Sequence, residues 1–261
     1  MSPKSTGSKT IDLSIISYIL LFTGSIFVGM SKAGFAGTGI FGIIIFAAVL
    51  PARESVGMIL PLLIIADLLA IFTFVKYVDW KQVFTLAPPA TLGVIGAWFL
   101  MPHISDANFA PFIGVLILCL LLMMLWLRFS PALTNFTLRH PHFGKGMGFL
   151  AGLTSMLANA GGPPASLYLL TRKLPKMAFV GTGAWYFFFL NLFKVPFSSS
   201  MGLINKQSLL LDLQILPFII IGFFTGLWLL NKINQTLFEW SVITLILPGS
   251  LYLIFSPIFL K

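Results

Sequence analysis

Charge is nearly missing from this chain. Lys and Arg number 16 and Asp and Glu 7 among 261 residues, 9% of the total, where a soluble domain carries about 25%. That excludes an aqueous globule. Cysteine occurs once, so neither a disulfide framework nor a thiol metal site is available. Cys119 lies in an apolar run and is expected in core packing. Histidine occurs three times, at His103, His140 and His142, always in polar linking sequence and never paired with Glu in a zinc-binding helix motif. Gly152-Leu153-Thr154-Ser155-Met156 lacks the second Gly of a nucleophile elbow. No enzyme, cofactor or metal is expected. The net charge of +9 comes from basic residues scattered among the loops, without the dense run that a nucleic-acid partner would need.

What the chain has in abundance is apolar surface. The hydrophobic fraction is 58%, Phe alone numbers 27, and the mean hydropathy is +1.00. Bilayer is the solvent this composition fits. Apolar stretches run at about 11–30, 36–50, 55–75, 83–101 and 109–127, then at 146–158, 163–170, 178–197, 208–230 and 237–256. The polar segment 128–145 divides them. The expected organisation is a tail 1–10, a first membrane repeat to 127, a linker 128–145 and a second repeat 146–261. The N-terminal stretch is expected to be retained, because no small-residue cleavage site precedes Ser31.

Two of the stretches, 146–158 and 163–170, are too short to cross a core about 30 Å thick at about 1.5 Å per residue. They must be broken or re-entrant, and the short 36–50 stretch either crosses or re-enters. Between them lies Asn159-Ala160-Gly161-Gly162-Pro163-Pro164, and the first half carries the similar break Ser31-Lys32-Ala33-Gly34-Phe35-Ala36-Gly37-Thr38-Gly39. Irregular backbone at membrane depth survives only against protein or a wet cavity, so both breaks are expected to line one.

The halves resemble each other. A shift of 123 to 124 residues carries Gly29 onto Gly152, Ser31 onto Thr154, Val56-Gly57 onto Val180-Gly181 and Asp67 onto Asn191; a later shift of 129 carries Gly93 onto Gly222. Five segments per half is odd, so the second copy is expected to be inverted. With both termini outside, ten basic residues fall on the inner side and five on the outer, the favoured arrangement. Small-residue stripes (Gly93 with Ala97, Gly222 with Gly226, and Gly144, Gly148 and Gly152) point to close helix packing. They also leave room for a homodimer seam.

Polar groups inside spans are functional candidates by default. Asp67 lies near the middle of its span. It either binds a proton during a cycle or is held ionised by a lysine such as Lys194 or Lys32. Asn191, its counterpart, could contact a ligand or bridge helices. Lys32 sits in the first break as a fixed positive charge, unless it snorkels to the interface, and the same alternative holds for Lys194. Ser31, Thr38, Thr154, Ser155 and Asn159 supply neutral donors, although single hydroxyls in helices commonly bond back to their own carbonyls. Gly34, Gly37, Gly161 and Gly162 free backbone amides at helix starts. Lysine and amides together suit an anion.

Gly29 to Phe35, the following Gly37-Thr38-Gly39, Val56 to Leu63 leading to Asp67, and Gly161-Gly162-Pro163-Pro164 resemble the TauE/SafE family of sulfite and organosulfonate exporters, over residues of about 24 to 230. The resemblance implies an all-α, multi-pass transporter of two inverted repeats in the bacterial cytoplasmic membrane. The expected function is a secondary transporter exporting a small anion, such as sulfite, sulfoacetate or a taurine-like sulfonate, by alternating access. The anion would bind between Lys32 and the second break, with protons as a candidate coupling ion. An anion channel and a membrane assembly or sensor partner are the alternatives.

Overall fold

The computed structural model describes residues 14–50, 52–104 and 140–259, with individual positions between 111 and 129. The tail 1–10, most of the 109–127 stretch and all but single positions of 128–139 lie outside the described residues. Every regular element among the described residues is helical.

Helix α1 (Ile15–Lys32) starts on Ser14, whose hydroxyl accepts from the Ser17 amide. It ends at Gly34, where φ of +117° favours glycine, and the chain turns straight back into α2 (Ala36–Val49). The two helices are antiparallel: a Cβ on Gly39 would lie 3.1 Å from Ser31, and one on Gly42 would lie 2.6 Å from Val28. At 14 residues, α2 is about 21 Å long and too short to span a bilayer alone. Two long helices follow, α3 (Ala52–Phe74) and α4 (Trp80–Leu100), the latter capped by the Asp79 carboxylate, which accepts from the Lys81 amide at 3.0 Å.

The second half opens with α5 (Pro141–Ala158). It begins inside the segment expected to be linker, because Pro141 fits the first helical position, where its missing N–H costs nothing. The helix is thus 18 residues long rather than the shorter stretch read from hydropathy. Asn159 closes it in the left-handed region with φ of 53°, and the chain reverses into the 10-residue α6 (Gly162–Thr171). Three long helices complete the bundle: α7 (Lys176–Ser200), α8 (Lys206–Lys232) and α9 (Gln235–Phe259).

Glycines set the two tightest crossings. In the α1/α8 pair, a Cβ on Gly29 would collide with the Ile219 carbonyl and one on Gly222 with the Ile26 carbonyl; in the α4/α5 pair, Gly93 meets the Phe149 carbonyl and Gly152 the Ala90 carbonyl in the same way. These stripes therefore serve packing within the chain. Between the two pairs, α3 lies against α7.

Apolar side chains cover the outside of the bundle: Phe72 is 77% exposed and Leu213 69%. Among the described residues, five helices are long and apolar enough to cross a membrane. Lipid can face such a surface as readily as protein can, which also explains Cys119. It is exposed on the bundle surface and does not pack in the core as expected.

Candidate functional site

The two hairpin tips converge on the α3/α7 contact. Gly34 packs on Val180 of α7, where an added Cβ would lie 2.6 Å from a valine methyl. Asn159 reaches α3, its Nδ2 donating to the Val56 carbonyl at 2.8 Å. Val56 and Val180 are each the fifth residue of their helix.

Asp67 is fully buried where α3 faces α7. One carboxylate oxygen lies 2.7 Å from the Lys32 ammonium, and the other accepts from Asn191 Nδ2 at 2.7 Å. Asn191 turns its own oxygen to Lys194, 3.4 Å away. Its amide orientation is fixed by an acceptor on one side and a donor on the other. Lys194 then donates to Asn159 Oδ1 at 2.6 Å and to Ser155 Oγ at 3.1 Å. An unbroken polar chain thus runs from α1 through α3 and α7 to the tip of the second hairpin.

The two lysines are placed differently. Lys194 is fully buried, and its three ammonium protons match three neutral oxygens. It ties α7 to α5 and does not snorkel. Lys32 keeps a side chain 10% exposed, holds the carboxylate, and sets its ammonium 4.9 Å from the centre of the Phe187 ring. It does not snorkel either. Counted formally, the two lysines and Asp67 leave one positive charge in a largely buried cluster, a condition that an anion relieves.

Two pockets adjoin the Lys32 ammonium. The first is lined by Ile40, Ile43, Ile59 and Leu63 together with Asn159, Gly162 and Asn191. The second is lined by Gly34, Asp67, Ser166, Val180 and Gly183. Ser31, Lys32 and Phe187 border both.

Several of the expected donors already have partners within the protein. The Thr38 hydroxyl donates to the Phe27 and Phe35 carbonyls at 3.0 and 2.8 Å, locking the first hairpin. The Ser31 hydroxyl bonds back to Val28 at 2.6 Å and that of Thr154 to Leu150 at 2.8 Å. Gly37 and Gly161 line neither pocket, and Gly161 instead lets the second tip pass the Ala151 carbonyl, 2.8 Å from an added Cβ. At α6, Pro163 and Pro164 carry no N–H, so this helix start offers fewer amides than its glycines imply. Phe187 is the site residue that sequence reasoning missed. Among the described residues, no group of three or more His, Cys, Asp or Glu could hold a metal ion.

A helical bundle with an apolar exterior, two helical hairpins meeting inside it and a buried charged cluster between two pockets defines a multi-pass membrane protein of the transporter kind. The family model described as Sulfite exporter TauE/SafE matches residues 21–253, and the chain belongs to that family. No curated protein and no solved structure matches it.

Proposed function

We propose that the protein exports a small anion, sulfite or an organosulfonate, across the bacterial cytoplasmic membrane by alternating access, with Lys32 as the binding cation. The observation that carries this reading is the placement of Lys32. It is the charged group of the cluster that borders both pockets, and it belongs to a cluster with one positive charge in excess. A substrate anion competes with Asp67 for the ammonium, and Asp67, released, becomes free to take a proton. Binding and proton uptake are thereby linked, while Ser31, Asn159 and Gly162 border the same space. An inside-negative potential alone also favours exit of a monoanion, by about 2.3 kcal/mol per 100 mV.

The two halves act as inverted repeats in this scheme. Support comes from the equivalent glycine crossings, Gly29 with Gly222 and Gly152 with Gly93, and from the hairpin tips resting on the equivalent residues Val180 and Val56. Rocking of one half against the other exposes Lys32 to each side in turn. Purified protein in liposomes loaded with radiolabelled sulfite, taurine or sulfoacetate tests the function under an imposed potential. Flux of at least one, saturable and dependent on Lys32, is expected; absence of flux for all three removes the reading.

A further inference from the structure

Three helices carry lining residues from one pocket to the other in order. On α3, Ile59 and Leu63 line the first pocket and Asp67 the second; on α6, Gly162 precedes Ser166 in the same sense. On α7 the order reverses, Gly183 lining the second pocket and Asn191 the first. The pockets are therefore stacked along the bundle axis. Ser31, Lys32 and Phe187 stand at the boundary of the two, and Phe187 has the largest side chain of the three.

This ring is held on three sides, one of them by the Tyr186 ring, which stands edge-on with the centroids 4.9 Å apart. The Lys32 ammonium lies 4.9 Å from the Phe187 centre, and its edge rests on the second hairpin tip, where a Cβ on Gly161 would be 3.3 Å away. A further side is open. Helical side chains lean toward the preceding turn, which for Phe187 is the turn of Gly183, and a Cβ on Gly183 would meet nothing within 4 Å.

We infer that Phe187, seated on the Lys32 ammonium, is a movable partition between two vestibules opening to opposite faces of the membrane, with the space over Gly183 as the place into which the ring swings. This rests on the transport reading above and adds its moving part. An anion arriving at Lys32 competes with the ring face for the ammonium, so occupation of the site and release of the partition are one event. The cation's attraction for the ring holds the partition closed when no anion is present.

Sidedness of thiol labelling tests the partition without any substrate. In a Cys119→Ser background, which removes the single native thiol, Ile43→Cys reports on the first pocket and Ser166→Cys on the second. A charged, membrane-impermeant methanethiosulfonate is applied to vesicles of either orientation. Each thiol should react from one face only, and the two from opposite faces. Adding Phe187→Ala should raise labelling from the forbidden face about thirtyfold, the scale of a desolvated cation–π contact. Gly183→Val, which fills the swing space, should leave labelling one-sided and stop flux, and it serves if the Ala variant does not fold. Labelling of both positions from one face, sidedness unchanged by Phe187→Ala, or normal flux with Gly183→Val would each overturn the inference. If sided labelling collapses as expected while no anion is transported, the partition stands and the choice of substrate fails.

Discussion

Asn191 donates to Asp67 across 2.7 Å, and the two residues stand 124 positions apart, the displacement that also carries Val56-Gly57 onto Val180-Gly181. Equivalent residues of two repeats touch only near the axis that relates them. On the proposed repeat, this hydrogen bond marks the centre of the molecule, with Lys32 on one side and Lys194 on the other.

Loss of the Lys32 charge should stop transport. Lys32→Ala is expected to abolish anion flux in proteoliposomes and, by stranding the Asp67 carboxylate, to lower stability by about 3–5 kcal/mol. The double variant Lys32→Ala with Asp67→Asn should recover most of that stability, read by thermal unfolding in detergent, and none of the flux. Lys32→Arg should keep part of the activity, since the charge persists on a larger, planar group. Normal flux in the Ala variant would place the binding cation elsewhere.

Asp67→Asn keeps the size of the side chain and its contact with Asn191. Substrate binding should survive, because the positive charge at Lys32 is then unopposed. Flux should cease to respond to an imposed proton gradient while still following the membrane potential. A variant whose gradient response matches the parent would remove Asp67 from coupling.

The Lys194 contacts act as a tie between α7 and the second hairpin. Lys194→Met should cost about 2–4 kcal/mol, since it leaves three buried oxygens without their donor. Asn159→Ala combined with it should add much less than its separate cost, because both changes break one network. Fully additive thermal shifts would show that the two residues are not coupled.

Gly152→Ala should sharply reduce the yield of folded protein, since its Cβ would enter the Ala90 carbonyl. Gly96→Ala, on the same pair of helices but with nothing within 4 Å of the new atom, should be neutral or stabilising by up to about 1 kcal/mol. Size-exclusion profiles of the two variants make the comparison. Equal yields would contradict the close α4/α5 crossing.

Both termini are expected outside. A reporter active only in the cytoplasm and fused after Lys261 should therefore stay silent, and a strong signal would break the assigned orientation.

Much of the architecture was legible because span boundaries follow from apolar runs, and both hairpin tips follow from glycine, proline and asparagine that a continuous helix would exclude. The lengths were less legible: α5 extends back to Pro141 through Gly144, Lys145 and Gly146, which hydropathy alone assigns to a linker. The charged candidates Lys32, Asp67, Asn191 and Lys194 do come together, yet which lysine faces Asp67 depends on helix rotation, which sequence does not specify. Phe187 carries no signal of its own among 27 Phe. Asp212 escaped notice as well; it is 5% exposed, near the start of α8, and neither of its side-chain oxygens has a partner among the described residues.

Because the central hydrogen bond joins unlike residues, the proposed symmetry is broken at its own axis. Two carboxylates meeting there would repel, and two amides would leave both lysines unbalanced, so an acid facing its amide is the combination that holds. The inequality extends outward: Lys32 holds a charge partner, whereas Lys194 is surrounded by neutral oxygens. Exchanging the roles of the halves therefore does not return the molecule to a state of equal energy. One orientation of the resting protein is therefore preferred before any ion gradient acts, which sets how the empty carrier is shared between its two states, while the gradients alone set the direction of net flux.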